Sequence, residues 1–170
     1  MKVLLLNPPY PFEECPAPPF GLMSLAAYLE DNAIEVRIED YVVNAFSEKR
    51  AKEVISSFSP DVIGASAVTM NVKKALKILK SYKDINPDLI AVFGGPHATF
   101  DATNMLLHYP FIDVIVRGEG ELTFLELLSN IKNQESYKNI AGISYRTKDN
   151  EIIHNPNRDF IQDINILPYP

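Results

Sequence analysis

Small and hydroxyl-bearing residues follow two predicted strands of this 170-residue chain. One run is Ser66-Ala67-Val68-Thr69, and the other is Gly94-Gly95-Pro96-His97-Ala98-Thr99. If the two strands are parallel, both runs lie at the sheet edge where ligands bind in open α/β proteins. Hydroxyl groups and bare glycine backbone offer hydrogen bonds there without adding charge. The pattern therefore favours a groove for a long and largely neutral ligand that enters edge-on.

Two other ligand chemistries fit the sequence poorly. A dinucleotide site needs a glycine-rich turn after the first strand, whereas this chain has a proline-rich loop there. Gly118-Glu119-Gly120 matches half of the dinucleotide motif, but Thr123 stands where the third glycine belongs and two glutamates would repel a phosphate. Asp40, after the second predicted strand, is therefore expected to cap or solvate the strand end. A magnesium-dependent phosphoacceptor domain needs acidic side chains where Asn7 and Ser66 stand.

The remaining reactive side chains favour structural interpretations. Glu119 and Glu121 are spaced for acid and base work, but Glu121 opens the last predicted helix, where the helix dipole stabilises negative charge. Cys15 is the single cysteine, so the chain has no internal disulfide and cannot hold an iron–sulfur cluster with several of its own cysteines. We interpret Cys15 as a small apolar residue rather than a thiolate ligand. His108 and His154 lack the spacing of a metal site.

Hydrophobic periodicity predicts five strands that alternate with five helices. The strands are predicted at Val3 to Leu6, Val36 to Asp40, Val62 to Ala67, Leu89 to Phe93 and Val114 to Val116. The helices are predicted around Leu22 to Leu29, Ala51 to Phe58, Ala75 to Tyr82, Met105 to Tyr109 (a shorter one) and Phe124 to Ile131. Strands separated by single helices give right-handed crossovers and a doubly wound parallel sheet. Five such units favour the flavodoxin-like strand order 2-1-3-4-5.

The pattern changes near Asn139. Ile143 to Arg146 and Glu151 to His154 flank the polar turn Lys148-Asp149-Asn150, as in a β-hairpin. The segment after Asn155 is typical of a linker and closes on the apolar run Ile166-Leu167-Pro168-Tyr169-Pro170. We expect one domain over residues 1–138, a hairpin extension and linker over residues 139–170, and a native chain that continues further.

Composition excludes several classes of protein. A net charge of −6 and a pI near 5.1 argue against a nucleic-acid surface, which needs clustered cations around phosphates. The apolar run at the N-terminus is too short to cross a bilayer. We expect a soluble cytoplasmic protein with one core and no membrane insertion.

The ordered set of motifs resembles the N-terminal cobalamin-binding domain of radical S-adenosylmethionine enzymes, including anaerobic magnesium-protoporphyrin monomethyl ester oxidative cyclases and class B methyltransferases. The matching pieces are Asn7-Pro8-Pro9, Pro18-Pro19-Phe20-Gly21-Leu22, Leu25-Ala26-Ala27-Tyr28-Leu29, Pro60-Asp61-Val62-Ile63-Gly64-Ala65-Ser66, Gly94-Gly95-Pro96-His97-Ala98-Thr99 and Gly118-Glu119-Gly120-Glu121. The resemblance covers roughly the whole chain. It implies that S-adenosylmethionine and a 4Fe-4S cluster belong to a radical domain that follows in the same protein.

The resemblance also implies how the cofactor is held. The nucleotide tail of the corrinoid would descend between the third and fourth strands. The implied cofactor-binding residues are Ser66, Thr69, Gly94, Gly95, Pro96, His97, Gly118 and Glu119. Methionine-synthase-like cobalamin domains coordinate cobalt with a histidine of the first loop, but residues 7–21 contain none. We therefore expect cobalamin without a histidine lower ligand, and a stiff wall of Pro16, Pro18, Pro19 and Phe20 against the corrin.

Taken alone, the chain is expected to bind cobalamin and to catalyse nothing, while its parent performs methyl transfer or oxidative ring closure. A second hypothesis is a flavodoxin-like domain without a ligand that serves interaction or substrate recognition. A small flavin-binding protein is a third.

Overall fold

A computed structural model of the protein describes residues 1–12, 16–147 and 149–170. The strands are β1 (Lys2–Asn7), β2 (Glu35–Asp40), β3 (Val62–Ser66), β4 (Ile90–Gly94), β5 (Val114–Val116), β6 (Ile143–Arg146) and β7 (Ile152–His154). The helices are α1 (Phe20–Asp31), α2 (Glu48–Phe58), α3 (Val72–Ile85), α4 (Pro96–His108) and α5 (Glu121–Asn133), and a single 3-10 turn spans Ile164–Ile166.

The sheet has the order β2-β1-β3-β4-β5-β6-β7. The first five strands are parallel and confirm the predicted order 2-1-3-4-5. The prediction of a five-stranded sheet is wrong in number, because β6 pairs antiparallel with β5 and β7 pairs antiparallel with β6. The predicted hairpin forms, but it continues the main sheet, since the open edge of β5 offers unpaired backbone groups to β6.

Apolar side chains cover both faces of the parallel strands. On β1, Leu4 and Leu6 join a core with helices α2, α3 and α4, whereas Val3 and Leu5 join a second core with α1 and α5. Alternate side chains of a strand point to opposite faces, so a continuous apolar run requires cover on both. The sheet is therefore doubly wound, with one helix layer packed on each of its faces.

Helix α4 differs from its predicted form. The sequence predicts a loop over residues 94–99 and a short helix around Met105, but α4 already begins at Pro96. Proline is well suited to the first helical position because its missing N–H has no partner there anyway. Gly95 is the N-cap, with φ 89° and ψ 176°. Asp101 has non-helical angles and kinks the helix, which explains why one continuous helical pattern is hard to see in the sequence.

The segment predicted as a linker packs against the domain. Arg158 donates through Nε to the Thr123 hydroxyl at 2.8 Å and also pairs with Glu126. Arg117 donates to the Asn157 side chain at 2.8 Å and to the Asn155 carbonyl. Among the described residues, no helix is long and apolar enough to cross a membrane.

Candidate functional site

A cleft opens at the carboxyl ends of β1, β3, β4 and β5, under helices α1 and α5. Its volume is about 300 Å³, which lies at the lower end of the range for pockets that hold small organic ligands. The order β2-β1-β3 puts the topological switch point between β1 and β3, and ligands of open α/β sheets bind beside such a point. Five of the predicted residues line the cleft: Ser66, Gly94, Gly95, Gly118 and Glu119.

Bare backbone keeps the floor of the cleft open. A Cβ atom added to Gly64 on β3 would lie 3.0 Å from Leu5 Cδ2 and 3.8 Å from the Phe124 ring. Leu5 and Phe124 are themselves buried lining residues, at 1% and 2% exposure. Any side chain at position 64 would therefore crowd Leu5 and Phe124, the apolar residues of the cleft floor.

The two glycines that end β4 have different surroundings. A Cβ on Gly95 would lie 2.6 Å from Ser66 Oγ and 2.8 Å from the backbone N and O of Ala67, and the φ of +89° is one that other residues rarely adopt. A Cβ on Gly94 would have the Val116 carbonyl oxygen at 3.6 Å as its nearest neighbour, which is ordinary contact. Gly95 therefore allows the end of β3 to pack closely against the start of α4. The missing side chain of Gly94 leaves open space in the cleft.

The loop between β5 and α5 forms one wall of the cleft, and its carboxylates are engaged. Glu119 Oε2 accepts a hydrogen bond from the Ile161 backbone N at 2.7 Å. Glu121 Oε1 accepts one from the Ser24 hydroxyl of α1 at 3.0 Å. The Gly118 backbone N donates to the Thr99 hydroxyl at 3.0 Å. These bonds support the structural interpretation of both glutamates, with Glu121 in the first turn of α5.

Thr69, Pro96 and His97 are not among the described residues that line the cleft. His97 Nδ1 lies 3.1 Å from the Thr69 hydroxyl, and Nε2 lies 3.7 Å from Asp101 Oδ2. The three residues sit at the same carboxyl edge, beyond the ends of β3 and β4. The structure thus brings five of the eight predicted residues into one cleft and leaves three outside it.

The other histidines and the strand-end aspartate have structural partners. His154 contacts the hydroxyls of Ser144 at 2.8 Å and Thr103 at 3.2 Å. Asp40 accepts hydrogen bonds from Asn7 Nδ2 and the backbone N of Val42, each at 2.9 Å, as the strand-end interpretation expects. The described residues contain no group of three His, Cys, Asp or Glu side chains placed to hold a metal ion. Cys15 lies outside the described residues.

Sequence reasoning missed the contribution of α1. Gly21, Leu22 and Leu25 line the cleft from this helix. A Cβ on Gly21 would have no atom within 4 Å, so this position faces open space. The signal was present, because an unexplained glycine in the first turn of a predicted helix indicates close approach of something else. Phe20, predicted to face the corrin, lines a neighbouring cavity of about 800 Å³ that shares Gly21, Glu119 and Glu121 with the cleft.

Comparison with known proteins assigns the domain. The sequence model of the family described as B12 binding domain matches residues 14–128. The chain belongs to the B12-binding domain family. The matched residues of this B12-binding domain run from the first loop into α5 and include β3, β4 and β5 of the cleft, whereas β1 precedes them.

Individual relatives agree with this family. An uncharacterized methyltransferase of Pyrococcus horikoshii is 34% identical over 175 residues, covering 100% of this chain and 38% of the relative. The anaerobic magnesium-protoporphyrin IX monomethyl ester cyclase of Rubrivivax gelatinosus is 33% identical over 172 residues, covering 96% of this chain and 31% of the relative. The chain therefore spans about a third of the length of these curated relatives.

A solved structure supports the same assignment. The cobalamin-dependent S-adenosylmethionine radical enzyme OxsB, with aqua-cobalamin and S-adenosylmethionine bound, is 26% identical and superposes with a TM-score of 0.76. The match covers 94% of this B12-binding domain and 22% of the OxsB chain. The predicted family and the flavodoxin-like arrangement of its parallel strands are thus confirmed.

Proposed function

We propose that this chain is the cobalamin-binding module of a radical S-adenosylmethionine enzyme. The observation that carries the proposal is the cleft under α1 and α5, which is lined by bare backbone at the switch point of a domain in the B12-binding family. Membership of the family supports the ligand class, and the position of the cleft beside the switch point supports the proposed site.

The lining fits the neutral aromatic base at the end of a corrinoid's nucleotide tail better than it fits an anionic group. The floor around Gly64, Leu5 and Phe124 would accept an aromatic group, because Leu5 and Phe124 are apolar and a side chain at position 64 would obstruct it. The Ser66 hydroxyl provides a hydrogen-bonding group beside that floor. Glu119 and Glu121 each already accept a hydrogen bond within the protein, so neither carboxylate requires a cation from the ligand.

The full set of proposed contacts has two parts. Ser66, Gly94, Gly95, Gly118 and Glu119 would surround the tail in the cleft, and Thr69, Pro96 and His97 would lie nearer the macrocycle at the carboxyl edge. Bound cobalamin supplies an exchangeable cobalt–carbon bond or a redox-active cobalt, while these residues only hold and orient it. Catalysis belongs to the parent protein.

We further propose that cobalt has no histidine lower ligand from this chain. No described residue that lines the cleft is a histidine, and residues 7–21 contain none. His97 is on the first turn of α4, between Thr69 and Asp101. The His97 ring thus makes contacts at the edge of the site, and it does not belong to the first loop.

The proposal extends to the parent protein. Residues 1–138 would hold the cofactor, and residues 139–170 would lead into a radical domain that contains S-adenosylmethionine and a 4Fe-4S cluster. The greater length of the relatives and their names, a methyltransferase and an oxidative cyclase, support this organisation. Methyl transfer or oxidative cyclisation in the cytoplasm is the activity we propose for the whole protein.

A cofactor titration tests the binding function. The full chain is mixed with hydroxocobalamin, desalted and examined by visible absorption, and we expect one corrinoid retained per chain. Gly21→Leu should retain less corrinoid because its side chain enters the open space beside the cleft. The corrinoid retained by Gly21→Ala should be intermediate between that of Gly21→Leu and that of the wild type. Ser56→Leu puts the same side chain on the exposed face of α2 and serves as the control.

The stability of these variants separates obstruction from unfolding. Replacing a helical glycine by alanine or leucine raises helix propensity, by about 1 kcal/mol for alanine, so Gly21 variants should melt no lower than the wild type. Lost retention with a maintained melting temperature supports the site. No retained corrinoid in the wild type would contradict cobalamin binding and favour the ligand-free interaction module, and quenched flavin mononucleotide fluorescence would favour a flavin protein.

A further inference from the structure

The buried side chain of Asn71 ties together two loops at the carboxyl edge of the sheet. Asn71 immediately precedes α3 and is 4% exposed. Its Nδ2 donates to the Pro8 carbonyl oxygen at 3.2 Å, and its Oδ1 accepts from the backbone N of Val68 at 3.0 Å. One amide thus joins the loop after β1 to the loop after β3, although Pro8 and Asn71 are 63 residues apart in sequence.

A second, exposed bond reinforces the same link. Lys74 Nζ, one turn further along α3, donates to the Tyr10 carbonyl oxygen at 2.6 Å. Of these two bonds, the one from Asn71 is buried, and a buried polar group is costly to leave unsatisfied. Asn71 therefore provides a buried link between residues 8–12 and residues 67–70.

The linked loops present exposed apolar side chains beyond the carboxyl ends of β1 and β3. Phe12 is 55% exposed and stacks on Tyr10 at a centroid distance of 5.5 Å, and Met70 is 62% exposed. A cleft of about 300 Å³ accommodates only part of a ligand as large as a corrinoid. The remainder must lie along the carboxyl edge, which β1 and β3 form side by side.

We propose that Asn71 is a positioning residue that sets these two loops at the spacing the macrocycle requires. The inference rests on the proposed cobalamin function and adds to it a residue outside the cleft. Asn71 acts through the Pro8 and Val68 backbones and does not itself touch the ligand. Its role is to preform the surface, so that loop ordering is complete before binding.

Asn71→Asp is the matched perturbation. The carboxylate keeps an acceptor for Val68 N and is favoured before a helix N-terminus, but it replaces the donor to Pro8 with an oxygen that repels the carbonyl. Asn86→Asp is the control, because Asn86 follows the other end of α3 and likewise accepts a backbone hydrogen bond, from Asp88 N at 3.1 Å. Asn71→Ser removes the reach to Pro8 without adding charge.

Two measurements on the full chain test the proposal. Because residues 8, 9 and 11 are prolines without a backbone N–H, hydrogen exchange of the apoprotein is followed at the Tyr10 and Phe12 amides. Their exchange should be faster in Asn71→Asp and Asn71→Ser than in the wild type or Asn86→Asp. Hydroxocobalamin should bind about fivefold more weakly to both Asn71 variants, the effect of one lost hydrogen bond. The absorption bands of the retained corrinoid should shift, which a merely structural role would not cause.

The possible results distinguish a failure of this inference from a failure of the proposed cobalamin function. Faster loop exchange together with weaker binding supports the positioning role. Faster exchange with unchanged affinity and spectrum overturns it, and so does unchanged exchange, which would show that the loops are not linked through Asn71. If the wild type binds no corrinoid, the cobalamin function fails and the role toward the macrocycle is overturned with it, while exchange still decides whether the link exists.

Discussion

The adjacent glycines at the end of β4 should respond in opposite ways to the same substitution. Gly95→Ala forces a side chain onto a backbone with φ 89° and ψ 176°, a region that is essentially restricted to glycine. That strain costs about 1–3 kcal/mol. The new methyl would also lie 2.6 Å from Ser66 Oγ and 2.8 Å from backbone atoms of Ala67, and overpacking of this kind costs about 1–3 kcal/mol more.

Gly94→Ala is the matched variant. Its new methyl has only the Val116 carbonyl oxygen near it, at 3.6 Å, and the φ at this position is not positive. We expect a change in the free energy of unfolding within about 1 kcal/mol of zero. The methyl does occupy the cleft, so Gly94→Ala should weaken corrinoid binding while leaving the fold intact.

Urea denaturation followed by circular dichroism measures the stability of both variants. A loss of about 4 kcal/mol in Gly95→Ala would be a large part of the roughly 5–15 kcal/mol typical of a domain. If Gly95→Ala lost less than about 1 kcal/mol, or if both variants lost the same amount, the division of roles between the glycines would be refuted. Binding should be compared only for variants that remain folded.

Three further predictions concern the remainder of the domain. Burial raises the pKa of the Tyr41 and Tyr82 hydroxyls, which lie 2.6 Å apart, so their stabilisation is present below the unfolded tyrosine pKa of about 10 and is lost above it. In urea denaturation from pH 8 to pH 11, Tyr41→Phe/Tyr82→Phe should lose less stability with pH than the wild type. Arg117→Lys keeps the charge but not the forked donor that reaches Asn157 and the Asn155 carbonyl, so it should lose about 1–3 kcal/mol of stability and be cleaved faster by chymotrypsin after the exposed Phe160. The cob(II)alamin form should show no imidazole nitrogen splitting in electron paramagnetic resonance.

Each of these predictions has a clear contrary result. An equally steep alkaline loss in the double phenylalanine variant would show that other groups control it. Unchanged stability and proteolysis in Arg117→Lys would mean that the fork contributes nothing beyond its charge. Nitrogen splitting that disappears in His97→Ala would identify His97 as the lower ligand and overturn the proposed binding mode.

The order of elements was accessible from the sequence because local patterns encode it. Continuous apolar runs such as Val3 to Leu6 predict strands covered on both faces, and β1 is buried on both. Val114–Val116 and Ile143–Arg146 have the predicted bounds. The start of α4 at Pro96 was missed, since the Gly95 conformation that permits it depends on contacts with Ser66 and Ala67.

The sequence by itself determined the alternation of strands and helices, the uncharged character of the loop residues and the absence of a histidine from the first loop, because these follow from residue type and local spacing. Only the tertiary structure decided which residues share a cleft. It added Gly21 and Leu25 from α1, left Thr69 and His97 outside, and joined the C-terminal hairpin to the main sheet. It also revealed the link from Asn71 to Pro8. Such relations depend on the packing of segments far apart in the chain, which periodicity does not record.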